Sequence, residues 1–196
     1  MKRRAPALYP DAVTLRHSVQ PRTILSRVDA TPGCHVKDSF SSLELAPHGF
    51  QVLFEATWIM RSGRVARPRD AIGDWELVGD NAGFAAWELA WRGGEGVRDV
   101  LLRDLVADLA VSVIAARSGA DVVAGGVLAA SHGVVGITNL FDRTASTTTG
   151  WSVCETAAQV LFPDSPLVGY ENGESLETAR ARGFTTCGAL RVWELD

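Results

Sequence analysis

Between residues 109 and 141 the chain carries three short apolar runs, Leu109–Ala116, Val122–Ala130 and Val134–Phe141, separated by only a few turn-forming residues. The connectors Ser118-Gly119-Ala120-Asp121 and Ser131-His132-Gly133 are too short for anything but tight turns. Such runs match buried strands in length, and strands joined by tight turns must pair antiparallel. This meander constrains the fold more than any other feature, because it places a three-stranded antiparallel unit inside the sheet.

The surroundings of the meander alternate between helix and strand. Upstream, Phe50–Met60 reads as a strand, with Val52, Phe54, Ala56, Trp58 and Met60 on one apolar face and Glu55 on the other. Asn81–Trp91 and Val97–Val106 read as two helices, the first closed by Gly93-Gly94. Downstream, the pattern predicts a helix over Trp151–Phe162 and a strand over Leu167–Tyr170. A helix over Glu174–Arg182 then ends at Gly183, before a last strand over Thr186–Trp193. Residues 1–22 read as an arm, Thr23–Ala30 as a short helix, and the stretch from Lys37 to Leu45 as a second one. The expected organisation is an N-terminal arm with short helices over 1–49, followed by one globular unit over 50–196. The expected fold class is α+β, a mixed, mostly antiparallel sheet flanked by helices.

Bulk properties narrow the partners. A net charge of −4 among 196 residues gives no basic footprint for nucleic acid, so none is expected. The apolar stretches are too short or too interrupted to span a bilayer, and no apolar signal core follows Met1-Lys2-Arg3-Arg4. Cys34, Cys154 and Cys187 show no zinc-like pairing with the four histidines, so no metal is expected. A reduced, cytoplasmic setting fits, and the Arg-rich, Lys-poor composition, with lysine only at 2 and 37, suggests a bacterial source. Cys34-His35 is adjacent in sequence, whereas a nucleophile and its base are normally brought together by the fold, so it is not read as a catalytic pair. Ser131-His132 reads as an exposed turn, and most of the six tryptophans as core.

The order strand, two helices, meander, helix, strand, helix, strand resembles the GCN5-related N-acetyltransferase (GNAT) fold over about residues 50–196. Asp121-Val-Val-Ala-Gly-Gly126 resembles that family's central hairpin strand. Leu176-Glu-Thr-Ala-Arg-Ala-Arg-Gly183-Phe184 with Gly188-Ala-Leu-Arg-Val192 resembles its late helix and final strand.

The resemblance implies an acyl-coenzyme A donor, its pyrophosphate held by main-chain N–H groups at a helix N-terminus. The corresponding segment begins at Arg143 and has Ser146 and Thr148 where the family has glycines. With Thr147 and Gly150 these residues form the expected cofactor site. The family's thiolate-protonating tyrosine is replaced by Ala179. Both departures count against ordinary acetyl transfer. The resemblance also places Glu55, Asn139 and Glu171 near the reaction centre, and Trp58 and Tyr170 beside a small-molecule substrate. A carboxylate there can act as a base once burial raises its pKa. The plain alternatives are a surface role for Glu55 and a helix-start carboxylate for Glu171.

The function these features imply is acyl transfer to a small amine. The alternatives are another small-molecule reaction on the same fold, such as lyase, decarboxylase or hydrolase chemistry, or a non-catalytic binding module.

Overall fold

A computed structural model describes residues 4–6, 8–63, 75–94, 101, 103–144 and 148–196. In chain order the elements begin with β1 (Ala12–Val13), α1 (Pro21–Leu25), β2 (Cys34–Asp38), β3 (Phe50–Gly63), β4 (Trp75–Leu77) and α2 (Asn81–Trp91). They continue with β5 (Val111–Ser118), β6 (Asp121–Ser131), β7 (Val134–Asp142), α3 (Thr149–Leu161), β8 (Asp164–Glu171), α4 (Gly173–Ala181) and β9 (Thr185–Leu195). The class is α+β, with mixed, mostly antiparallel strand pairing and flanking helices. By its internal contacts the chain divides into two units, residues 60–169 and residues 1–59 with 170–196.

In the unit of residues 60–169 the meander forms as expected. β5 pairs antiparallel with β6 from Val111↔Ala129 to Ser118↔Asp121, β6 pairs antiparallel with β7, and the short β4 adds to the outer edge of β5. β7 then pairs in parallel with β8 at Val135↔Leu167 and Gly136↔Val168. Two adjacent glycines let α2 and α3 approach β6. A Cβ at Gly125 would lie 2.2 Å from the Ile114 carbonyl oxygen and 2.8 Å from the Trp87 indole nitrogen, and one at Gly126 would lie 2.8 Å from the Cys154 sulfur. Trp87 fills the space so left, donating its indole N–H to the Ile114 carbonyl at 2.9 Å. The helix predicted over Asn81–Trp91 is α2 residue for residue, and Asp80 caps it by accepting from the Gly83 N–H at 2.7 Å. Of the helix predicted over 97–106, residues 97–100 and 102 lie outside the described residues, and Arg103–Ala107 is a 3-10 turn.

In the unit of residues 1–59 and 170–196, β2 pairs antiparallel with β9 from Cys34↔Leu195 to Asp38↔Arg191, and β1 pairs in parallel with β2. The second N-terminal helix, expected from Lys37 to Leu45, is therefore corrected: residues 34–38 are strand and the rest is an irregular loop. The cause is Asp38. Its buried carboxylate accepts from the N–H groups of Ser42 and Leu43, both at 2.6 Å, and from the Thr14 hydroxyl at 2.9 Å. A side chain that takes backbone donors in this way replaces the bonds a helix would make. α1 is likewise shorter than Thr23–Ala30 and starts earlier, on Pro21, whose fixed φ suits a first helical turn. Cys34, Val36, Leu43, Leu45, Phe50 and Trp193 form the core of this unit with Ile24 and Val28. α4 ends as its glycine predicts: Gly183 has φ +84°, and the Phe184 N–H returns to the Ala179 carbonyl at 3.1 Å.

Candidate functional site

Strand alternation sorts the candidate residues of the unit of residues 1–59 and 170–196 onto two faces. Ala56, Leu190 and Val192 pack together, with Phe54, Trp58 and Tyr170 against them. Successive strand side chains point to opposite sides, so Glu55, Arg191 and Glu171 lie on the other face. The proposed substrate residues Trp58 and Tyr170 therefore meet, with ring centroids 5.5 Å apart at 80°. Trp58 is held in place by its indole N–H, which donates to the Ser39 carbonyl at 2.8 Å.

On the opposite face, Glu55 is gripped by Arg191, which donates to Oε1 from Nε at 2.8 Å and from Nη2 at 2.6 Å. The Glu55 side chain is 60% exposed, so this is a surface pair of small energetic worth and the surface alternative describes its surroundings. Glu171 differs. At the carboxyl end of β8 it is half-buried, it accepts no hydrogen bond and meets no cation among the described residues, and burial pushes its pKa up to about 7. In keeping with the alternative reading, Glu171 directly precedes Asn172, the residue at the N-cap position of α4. Burial, and secondarily the Glu171 charge, also raises the Tyr170 phenol.

One residue that sequence reasoning passed over joins the aromatic face. Lys37 pairs in register with Val192, which places it on the side of Trp58 and Tyr170. Its Nζ lies 3.9 Å from the Tyr170 ring centroid and 4.9 Å from that of Trp58. Burial lowers its pKa to about 8. The signal for it is the alternation in Cys34–Asp38, masked because Lys37-Asp38-Ser39 also reads as the start of a helix.

In the unit of residues 60–169 the expected cofactor segment has a second unforeseen feature. Ser146 and Thr147 lie outside the described residues. The start of α3 is occupied by Asp142. Its Oδ2 accepts from the N–H groups of Thr149 at 2.5 Å and Gly150 at 3.2 Å, while Oδ1 accepts from the Thr144 N–H at 2.9 Å and its hydroxyl at 2.6 Å. A carboxylate thus sits on donors that would otherwise face an anion. Gly150 is buried, and a Cβ there would come within 2.4 Å of the Phe141 carbonyl oxygen, so glycine is demanded by packing. Arg143 turns to the end of α2, donating to the Ala90 carbonyl at 3.1 Å. Thr148 immediately precedes α3 and makes no side-chain cap bond.

Asn139 belongs to the same unit, at an irregularity where Gly125↔Phe141 and Val127↔Thr138 leave Asn139 and Leu140 opposite Gly126 alone. Its φ of +53° marks the left-handed conformation that asparagine tolerates better than most residues. Its Oδ1 accepts from the Thr138 hydroxyl at 3.0 Å.

Cys34 is fully buried, which pushes its thiol up to about 11, and His35 faces Glu194 at 3.0 Å. Among the described residues there is no group of three or more His, Cys, Asp or Glu able to hold a metal, and no helix is long and apolar enough to cross a membrane.

No protein-family model and no curated protein matches the sequence. Solved structures do match it in fold. A functionally unknown conserved protein from Staphylococcus epidermidis aligns with TM-score 0.60 and 11% identity over 83% of this chain and 73% of its own. A GCN5-related N-acetyltransferase from Kribbella flavida gives TM-score 0.60 and 10% identity over 83% of this chain and 68% of its own. One from Sphaerobacter thermophilus gives 0.57 and 10% over 88% and 62%. At such identities the likeness is one of fold alone, and the fold is that of the GCN5-related N-acetyltransferases.

Proposed function

We propose that the chain is an acyltransferase that moves an acyl group from a thioester, of the acyl-coenzyme A class, to a small amine, with Glu171 as the general base. The observation that carries this reading is the half-buried Glu171 carboxylate, without hydrogen bond or ion pair among the described residues and with its pKa raised to about 7 by burial. An ammonium substrate must lose a proton before it can attack, and a base poised near neutrality takes that proton most effectively. The neutral amine then adds to the thioester carbonyl, and the tetrahedral intermediate expels the thiolate. Ala179 supplies no acid to the leaving sulfur, but a thiol of ordinary pKa, roughly 8.5, leaves without one more readily than an alkoxide would. Incubation with acetyl-coenzyme A and a panel of primary amines, followed by mass spectrometry, tests the proposal. It predicts an N-acetyl product and one equivalent of free thiol; release of thiol without an N-acyl product would contradict it.

A second reading, a reaction on this fold that needs no coenzyme A, is favoured by one observation. Asp142 already satisfies the Thr149 and Gly150 N–H groups. A diphosphate would have to displace a carboxylate tied to the same chain. Tight, adenosine-phosphate-dependent coenzyme A binding would exclude this reading.

A further inference from the structure

The aromatic face of β2, β3 and β8 carries an amine that the acyl-transfer reading does not use. Lysine occurs only at positions 2 and 37. Lys37 is half-buried, with Nζ against the rings of Tyr170 at 3.9 Å and Trp58 at 4.9 Å, and no carboxylate lies within ion-pair distance of it among the described residues. Apolar neighbours share this face, Ala56, Leu190 and Val192 with Phe54 beside them, and one strand position along stands the His35–Glu194 pair, closed on itself at 3.0 Å.

A lysine placed only to bind the fold together would reach water or a carboxylate, since burying an ammonium without a counter-ion is costly. The aromatic rings recover part of that cost, on the order of 0.5–2 kcal/mol. The rest favours the neutral amine, in agreement with the lowered pKa of about 8. An amine desolvated in this way, against two aromatic rings set edge to face, is equipped to add to a carbonyl carbon.

We propose that Lys37 is a covalent binding site for small aldehydes, aromatic ones in particular, which it takes up as an imine lying against the Trp58 and Tyr170 rings. The neutral amine adds its lone pair to the carbonyl carbon and forms a carbinolamine. Both amine hydrogens leave with the carbonyl oxygen as water, so the exchange needs no oxidant or reductant. The proposal concerns the face opposite Glu171 and stands independently of acyl transfer.

Benzaldehyde and acetaldehyde, each with sodium cyanoborohydride to trap the imine, test this on the whole protein at neutral pH. Peptide mapping by mass spectrometry then separates Lys37 from Lys2 and from the terminal amine. The expected result is one dominant adduct, with Lys37 labelled at least about tenfold faster than Lys2 and benzaldehyde preferred over acetaldehyde. Lys37→Met should lose that adduct, and Trp58→Leu, which readmits water to the amine, should lower the Lys37-to-Lys2 ratio at least threefold. Because the ratio is read within the wild-type protein, a variant that fails to fold does not rescue the idea. Labelling of Lys37 no faster than Lys2, or no adduct at Lys37, overturns it.

Discussion

Replacing Asp142 with alanine removes four acceptor contacts at once. These are the Thr149 N–H at 2.5 Å, the Gly150 N–H at 3.2 Å, the Thr144 N–H at 2.9 Å and the Thr144 hydroxyl at 2.6 Å. Loss of an ordinary helix cap costs about 0.5–2 kcal/mol, and bonds to a charged acceptor are stronger than neutral ones. With partial rehydration of the freed donors, about 2–4 kcal/mol is expected for Asp142→Ala. In a chain of this size that lowers Tm by roughly 5–15 °C, measurable by thermal or urea unfolding. Asp142→Asn, which keeps one oxygen acceptor, should fall between the two. The same substitution opens an anion site. Sodium pyrophosphate at about ten times its dissociation constant should restore about 1.4 kcal/mol to Asp142→Ala, while the wild type, its donors already filled, gains little. An alanine variant within about 0.5 kcal/mol of wild type would refute the capping argument. Equal stabilisation of both proteins by pyrophosphate would refute the claim that Asp142 fills the site.

Other expectations follow from particular contacts. Arg61 and Glu155 form a buried pair at 2.8 Å with side chains 7% and 2% exposed, so Glu155→Ala should cost about 3–5 kcal/mol in urea unfolding. The double change Arg61→Met with Glu155→Leu should recover most of that loss; a double variant as unstable as the single one would contradict the desolvation argument. Gly125→Ala pushes a methyl into the Ile114 carbonyl and should destabilise by about 3 kcal/mol, at the upper end of overpacking costs. A fully stable Gly125→Ala protein would show that β6 can move away from its neighbour. Glu171 has a folded pKa raised above its unfolded value, so the folded state binds the proton more tightly and stability falls as pH rises from about 4.5 through about 7. Glu171→Gln should therefore gain stability over wild type at pH 8 and not at pH 4; an equal difference at both would contradict the burial of this carboxylate.

Legibility in the sequence followed the range of the interactions that fix each element. The meander was readable because Gly119 and Gly133, both at positive φ, punctuate runs that have one way to pair. The α4 stop was readable because a local glycine makes it. β2 was not, because its partner, β9, is over 150 residues away at Leu195 and the competing signal, Asp38, mimics a helix cap while serving a loop. β8 begins at Asp164, inside the Pro163-Asp164-Ser165-Pro166 stretch that reads as a breaker. The site shows the same limit. The resemblance brings Trp58 and Tyr170 forward, but Lys37 acquires its character only from rings contributed by β3 and β8. Asp142 reads as the first residue of a polar loop, and its role depends on the chain returning to it seven and eight residues later.

The central claim is that Glu171 takes the proton from the attacking amine, and the pH dependence of turnover tests it most directly. With an acyl thioester and an accepted amine, kcat should rise with pH through about 7 as Glu171 ionises. Glu171→Gln should lower kcat on the order of 10²–10⁴-fold and abolish that inflection, with the fold intact by circular dichroism. Loss of the inflection together with the rate is the predicted result. A Glu171→Gln enzyme that keeps the inflection near pH 7, at whatever rate, would contradict the claim and assign the base to another residue.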